Sequence, residues 1–172
     1  MSNTETIVLG GGCFWCTESV FKEVRGVLDV ESGYSNGQET APTYEQVCTG
    51  RTGCNEVVKL VYDPAVIGTR QILEIFFATH DPTQLNRQGN DVGTQYRSAV
   101  YWTTPEQEEV VRRTHAVFQE RLRERSFSDI TTELRPAADA GPFYYAEEHH
   151  QQYLHKVPNG YCPVHATGVR CG

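Results

Sequence analysis

The chemistry this sequence can offer lies in its six cysteines and a few acids and phenols. The first two cysteines sit in Gly10-Gly11-Gly12-Cys13-Phe14-Trp15-Cys16, directly after the apolar run Ile7-Val8-Leu9. Three glycines let the backbone turn sharply and let other groups come close. Beyond them Cys16, Val20 and Val24 recur at helical spacing, so Cys13 is expected where a strand hands over to a helix. The unpaired N–H groups and partial positive charge of a first helical turn favour thiolate over thiol, which predicts a depressed pKa for Cys13. Phe14 and Trp15 put two aromatic rings beside that sulfur, a setting for a small ligand with an uncharged, partly apolar head. A buried, inert cysteine ahead of an amphipathic helix fits the same stretch.

Other groups join this list, each with an ordinary alternative. Cys13 and Cys16 have the spacing of a dithiol redox motif. Zinc is a rival, with Cys13, Cys16, Cys162 and Cys171 as ligands, but structural zinc takes its ligands in tight pairs and the last two are too far apart for one. Glu56 opens an apolar strand; burial there would raise its pKa and make it a proton donor at neutral pH, whereas a solvated strand-end glutamate would do nothing. Tyr44 and Tyr96 each follow a polar loop and can hydrogen-bond a ligand oxygen, as well as simply being half-buried. Asp91 suits the same site or a plain turn. Adjacent His149 and His150 would point apart on a helix, which favours a surface or packing role over a shared ion. Cys48 and Cys54 flank a glycine-containing turn and read as inert thiols. Cys162 and Cys171 lie in a tail with glycines and prolines that can swing to a distant thiol. A catalytic thiol oxidised to sulfenic acid needs such a resolving thiol, and exchange can then pass the disulfide outward.

The elements that must position these groups follow from patterning. Strands are expected over 4–9, 27–34, 56–62, 96–102 and 130–134, where apolar residues run or alternate between turn signals. Helices are expected over 13–24, from Thr69 as cap through Phe77, and after Thr104-Pro105-Glu106-Gln107, where a capping residue precedes proline. In the last of these Val110, Val111, Thr114, Val117, Phe118 and Leu122 form one stripe, and Glu108–Arg112 and Glu109–Arg113 lie on the wet side. A short polar helix is expected near 147–155. Residues 35–53 read as a long functional loop, 80–95 as a second polar loop and 158–172 as a mobile arm. The order strand-helix-strand, strand-helix-strand predicts an α+β fold with a ferredoxin-like split βαβ core.

At 172 residues, without repeats or a composition break, the chain is expected to be one domain, 1–172, and a monomer. A net charge of −7 argues against nucleic acid or an anionic membrane as partner. The first residues lack a basic, apolar leader and no membrane span is visible, so the expected location is cytoplasmic. Six cysteines in that compartment point to redox or metal chemistry rather than a disulfide framework.

Ordered motifs extend the argument. Gly12-Cys13-Phe14-Trp15, Gly33-Tyr34, Pro42-Thr43-Tyr44-Glu45, Gly53-x-x-Glu56 and Tyr62-Asp63-Pro64 are followed by Asp81-Pro82-Thr83, Arg87 to Asp91 and Gly93 to Ser98. Tyr145-Ala146-Glu147, His150 to Leu154 and Asn159-Gly160-Tyr161-Cys162 complete the series. Together they resemble the type A peptide methionine sulfoxide reductases. The resemblance implies a two-layer α/β sandwich around a mixed sheet and reduction of the S-epimer of methionine sulfoxide, free or in proteins. It implies that Cys13 is the nucleophile, that Phe14 and Trp15 wall the methyl pocket, and that Tyr44, Glu56 and Tyr96 bind and protonate the sulfoxide oxygen with Asp91 in support. Cys162 matches the resolving cysteine and Cys171 a second recycling cysteine, thioredoxin is the usual reductant, and no metal or organic cofactor is needed. Two departures stand out. Cys54-Asn55 replaces the common His-Ala before the glutamate, and position 16 is often glycine, so Cys16 and Cys54 are possible alternative thiols. The competing function is a thioredoxin-like dithiol–disulfide oxidoreductase working through Cys13 and Cys16.

Overall fold

A computed structural model describes residues 3–35, 42–49, 52–88, 91–141 and 143–156. The recycling cysteines Cys162 and Cys171, and the predicted tail 158–172, lie outside them. The elements are β1 (Glu5–Gly10), α1 (Phe14–Lys22), β2 (Val27–Ser35), α2 (Tyr44–Cys48), β3 (Asn55–Tyr62), α3 (Thr69–Thr79), β4 (Arg87–Gln88), β5 (Asp91–Val92), β6 (Ala99–Trp102), α4 (Pro105–Glu124), β7 (Glu133–Pro136), α5 (Ala137–Ala140), β8 (Tyr144–Tyr145) and α6 (Tyr153–Lys156).

The main sheet has the order β7-β6-β1-β3-β2-β8. Its four inner strands are antiparallel neighbours, and β7 joins β6 in parallel, so the sheet is mixed. β1-α1-β2 and β3-α3-β6 form the expected split βαβ units, each leaving room for a strand of the other. Alternation along the strands makes two cores. Ile7, Leu9, Val58, Leu60 and Val100 face one way and pack with Phe14, Phe21, Ile72, Phe76, Phe77, Val111, Phe118 and Leu122 from α1, α3 and α4. Val8, Val57, Ala99 and Tyr101 face the other way, under Ala137, Ala140 and Phe143.

The sequence expectations differ from the fold at several ends. Tyr96 belongs to a 3₁₀ turn, Thr94–Tyr96, and β6 begins only at Ala99. The strand expected at 130–134 runs from Glu133 to Pro136 instead. The N-cap of α3 is Gly68, whose N–H donates to Gln71 Oε1 at 2.8 Å; the Thr69 hydroxyl is 2.6 Å from that of Tyr62 instead of capping. The stretch read as a long loop contains α2, started by a Thr43–Gln46 capping box. In place of one helix near 147–155 there is a 3₁₀ turn, Glu148–His150, and then α6. The start of α4 is as expected, with Thr104 Oγ1 accepting from Gln107 N–H at 3.1 Å.

Candidate active site

Cys13 is delivered by the turn between β1 and α1. Gly12 has φ +92°, a backbone that side chains rarely tolerate, and Cys13 follows as the N-cap of α1. Cys16 N–H donates to the Cys13 carbonyl at 3.1 Å, and the N–H groups of Trp15 and Cys16 lie near enough to the sulfur to favour its thiolate. The thiol is free and only 5% exposed. The expected pKa depression is not found. Burial, and secondarily the neighbouring Glu56 and Asp91 charges, push the thiol well above its ordinary value and outweigh the two helix-start N–H groups.

Glu56 reaches the same place because strand alternation puts it on the face of Val58 and Leu60, toward α1. It is 1% exposed. Its Oε1 accepts from Phe14 N–H at 3.2 Å, and its Oε2 is buried without a hydrogen-bond partner among the described residues. Burial, reinforced by Asp91 and opposed by the Phe14 bond, pushes its pKa up to about 8. The carboxyl is therefore neutral at pH 7. Its proton sits on Oε2, because Oε1 is already accepting.

Two phenols complete the polar side. Tyr44 is the first residue of α2, and its hydroxyl lies beside Tyr96 and Cys48. Tyr96 is held through the next residue: Arg97 donates to Thr94 O and Gly53 O, both at 2.8 Å, and pairs with Glu133 at 3.1 Å. Burial, then neighbouring negative charge, raises both phenols, so they remain O–H donors. Asp91 opens β5, opposite Gln88, and its charge is felt at both Cys13 and Glu56.

The apolar side is an aromatic cluster. Phe14 lies 5.7 Å from Tyr34 and 5.4 Å from His150 between ring centroids. Trp15 stacks on Tyr153 at 3.9 Å, and its indole N–H donates to His150 Nδ1 at 3.1 Å. His150 is buried and packs at 4.1 Å on His149, so the adjacent rings do not point apart; a three-residue helical turn replaces the wider α-helix assumed from sequence.

The structure thus brings together Cys13, Phe14, Trp15, Tyr44, Glu56, Asp91 and Tyr96. It does not bring Cys54, which is 2% exposed and packed in the main core. Cys16 is disulfide-bonded, and with Cys13, Cys48 and Cys54 free its partner lies outside the described residues. That removes its sulfur from a zinc set, and it shows that Cys13 and Cys16 are not bonded to each other. Tyr34, Glu147 and Tyr153 enter the sequence reading only as motif residues, with no place in the site foreseen, and His150 takes the packing role expected of it; the three-residue spacing of Glu147, His150 and Tyr153 is the available signal.

Comparison with known proteins bears on the same residues. A family model described as peptide methionine sulfoxide reductase matches residues 5–170. A peptide methionine sulfoxide reductase MsrA of Rhodospirillum centenum is 53% identical over 97% of this chain and 75% of its own. Methionine sulfoxide reductase A of Corynebacterium diphtheriae superposes with TM-score 0.88 at 46% identity, over 98% of this chain and 82% of that one. Reduced Mxr1 of Saccharomyces cerevisiae gives 0.84 at 34% identity, over 95% and 92%, and Mxr1 in complex with Trx2 gives 0.61 at 25% identity, over 97% and 90%.

Proposed function

Because this chain belongs to the peptide methionine sulfoxide reductase family, we propose that it reduces the S-epimer of methionine sulfoxide, free and in proteins, at Cys13. The observation that carries the residue assignment is Glu56: a buried carboxyl, protonated at neutral pH, with a free Oε2 next to the one buried thiol at the helix start.

Oxygen leaves sulfur readily only once it is protonated. In this reading Phe14 and Trp15 hold the substrate methyl group, the Tyr44 and Tyr96 hydroxyls donate to the sulfoxide oxygen, and Glu56 Oε2 supplies the proton. Asp91 supports the site by keeping Glu56 neutral. Glu56 becomes a carboxylate as it gives up its proton and can take the Cys13 proton while sulfur attacks sulfur. A thiol that rests protonated is then an adequate nucleophile, since its proton leaves during the reaction. Methionine departs two electrons reduced, and Cys13 becomes a sulfenic acid two electrons oxidised. Cys162 displaces water to give a Cys13–Cys162 disulfide, Cys171 takes over that bond, and an external dithiol reduces it. Thioredoxin is the proposed reductant, in line with the Mxr1–Trx2 complex. We place this cycle in the cytoplasm; no helix among the described residues is long and apolar enough to cross a membrane.

One observation favours a second reading of the resolving step. Cys16 already holds a disulfide while Cys13 is free, which fits Cys16 as a station in the exchange. A burst experiment tests both. Reduced protein is mixed with excess methionine S-sulfoxide without reductant, and methionine formed is counted. About two per chain is expected if the disulfide leaves Cys13 for a second attack, and mapping it assigns Cys16, Cys162 and Cys171. One per chain limits the relay to the first disulfide, and none overturns the assignment of Cys13.

A further inference from the structure

Glu147, His149 and His150 present ligand atoms within 4.8 Å of one another, as a metal site would. The hydrogen bonds argue otherwise. Indole N–H can only donate, so His150 Nδ1, which receives it, carries no proton. In the neutral ring the proton is then on Nε2, which has no lone pair left for a metal. Nε2 is buried and lies 3.4 Å from Glu147 Oε2, an electrostatic approach without hydrogen-bond alignment, and it has no hydrogen-bond partner among the described residues.

Glu147 does accept two aligned hydrogen bonds. Its Oε1 receives the Tyr44 N–H at 2.9 Å, and its Oε2 receives the Tyr34 hydroxyl at 3.0 Å. We propose that Glu147 is a positioning residue that joins the two halves of the substrate pocket: one carboxylate oxygen holds the Tyr44 end of α2, and the other holds Tyr34 and fixes, by charge across 3.4 Å, the tautomer of the His150 ring that receives the Trp15 indole. The proposal rests on the roles assigned above to Tyr44 and Trp15. Ionised Glu147 suits the task because all its neighbours donate and a carboxylate only accepts. Burial alone would raise its pKa, but bonds from its own N–H, Tyr44 and Tyr34 overcome this and hold it below the usual range.

An amide cannot do the same. If the Oε1 of a glutamine faces Tyr44, its NH₂ meets the His150 Nε2–H. The ring must then change tautomer, which sets Nδ1–H against the indole N–H. If the amide is turned over, its NH₂ meets the Tyr44 N–H instead. Either way one half of the pocket loses its anchor.

The test is a double-mutant cycle read by single-turnover methionine formation. Glu147→Gln is expected to lower the rate at low substrate by about tenfold to a hundredfold, the scale of a small misplacement of a positioned group. In a Tyr44→Phe or Trp15→Phe background the further loss should shrink to about threefold or less in at least one case. In a Trp102→Phe background Trp15 is the sole indole, and Glu147→Gln should shift its emission, a readout that loss of stability alone would not move well below the melting temperature. His150→Phe keeps the ring packing but removes both nitrogens; it should reproduce the emission shift even where Glu147→Gln folds poorly. A full, undiminished loss in both backgrounds with unchanged Trp15 emission overturns the proposal. If Tyr44→Phe and Trp15→Phe are themselves without effect, the catalytic roles fail, and the emission of Trp15 still decides whether Glu147 holds the indole.

Discussion

The chemistry of single residues here is set by how deeply they are buried. Glu56 would be ionised at neutral pH in water and is a much weaker acid between β3 and α1, because its charge would have no solvent and only one N–H to stabilise it. Two outcomes follow. Glu56→Gln keeps the shape and loses the proton, so single-turnover methionine formation should slow by about a hundredfold, the scale of a general acid, while Cys13 remains reactive to a small alkylating reagent. A near-normal rapid-quench rate would remove Glu56 from that role. The second outcome concerns stability. The folded carboxyl keeps its proton up to about pH 8, whereas the unfolded one loses it near 4.5. Between those values the native state binds more protons, so stability falls as pH rises, by on the order of 5 kcal/mol in all. In urea unfolding, Glu56→Gln should gain on the native sequence as pH goes from 5 to 8.5. An equal difference at both pH values would mean that Glu56 is not buried as a neutral acid.

At the scale of elements, the site is a meeting of ends. The start of α1, the start of α2, the first residues of β3 and the 3₁₀ turn at Thr94–Tyr96 come together. Each is placed by its own backbone signal, such as the capping box at Thr43 or the Arg97 bonds to two carbonyl groups. The last wall is the segment from β8 to α6, clamped along β2. Ala146 N–H donates to Ser32 O at 3.0 Å, and Gln151 mimics a strand by accepting from Ser32 N–H and donating to Ser32 O. Gly33 makes this closeness possible, because a Cβ there would run into the Phe143 ring and the Tyr144 carbonyl. Gly33→Ala should therefore push β8 off β2, lower the melting temperature by several degrees and weaken substrate binding more than an unhindered glycine change such as Gly68→Ala, where a Cβ meets only ordinary contact. Equal effects from the two would mean that β8 docking is not needed for the site.

For the whole molecule, the stabilising mass lies on one side of the sheet. Replacing fully buried Phe118, which ties α4 to α3, by alanine should cost about 3–5 kcal/mol. The exposed Arg112–Glu108 and Arg113–Glu109 pairs should contribute little. The Cys16 disulfide links the first helix to a residue outside those described, and such closures stabilise by about 2–4 kcal/mol. Reduction, or Cys16→Ser, should lower the unfolding midpoint, and reductant should then have no further effect on the Cys16→Ser protein. A midpoint indifferent to both would mean that this disulfide is an exchange station with no structural role.

What the sequence determined alone was whatever is encoded locally. Strand alternation, the Thr104-Pro105 helix start and the order of elements predicted the split βαβ core, since periodicity and capping are energies of neighbouring residues. The glycine turn put Cys13 at the strand–helix junction, and the ordered motifs pointed to the family. The tertiary structure alone decided the protonation of the site. The helix start pulls the Cys13 thiol toward the thiolate, but depth and two carboxyl groups from β3 and β5 push harder, and that sum cannot be formed from one stretch of chain. It also decided who holds whom. Glu147 meets Tyr44 across 103 residues and Trp15 meets His150 across 135, contacts that exist only once the sheet has closed.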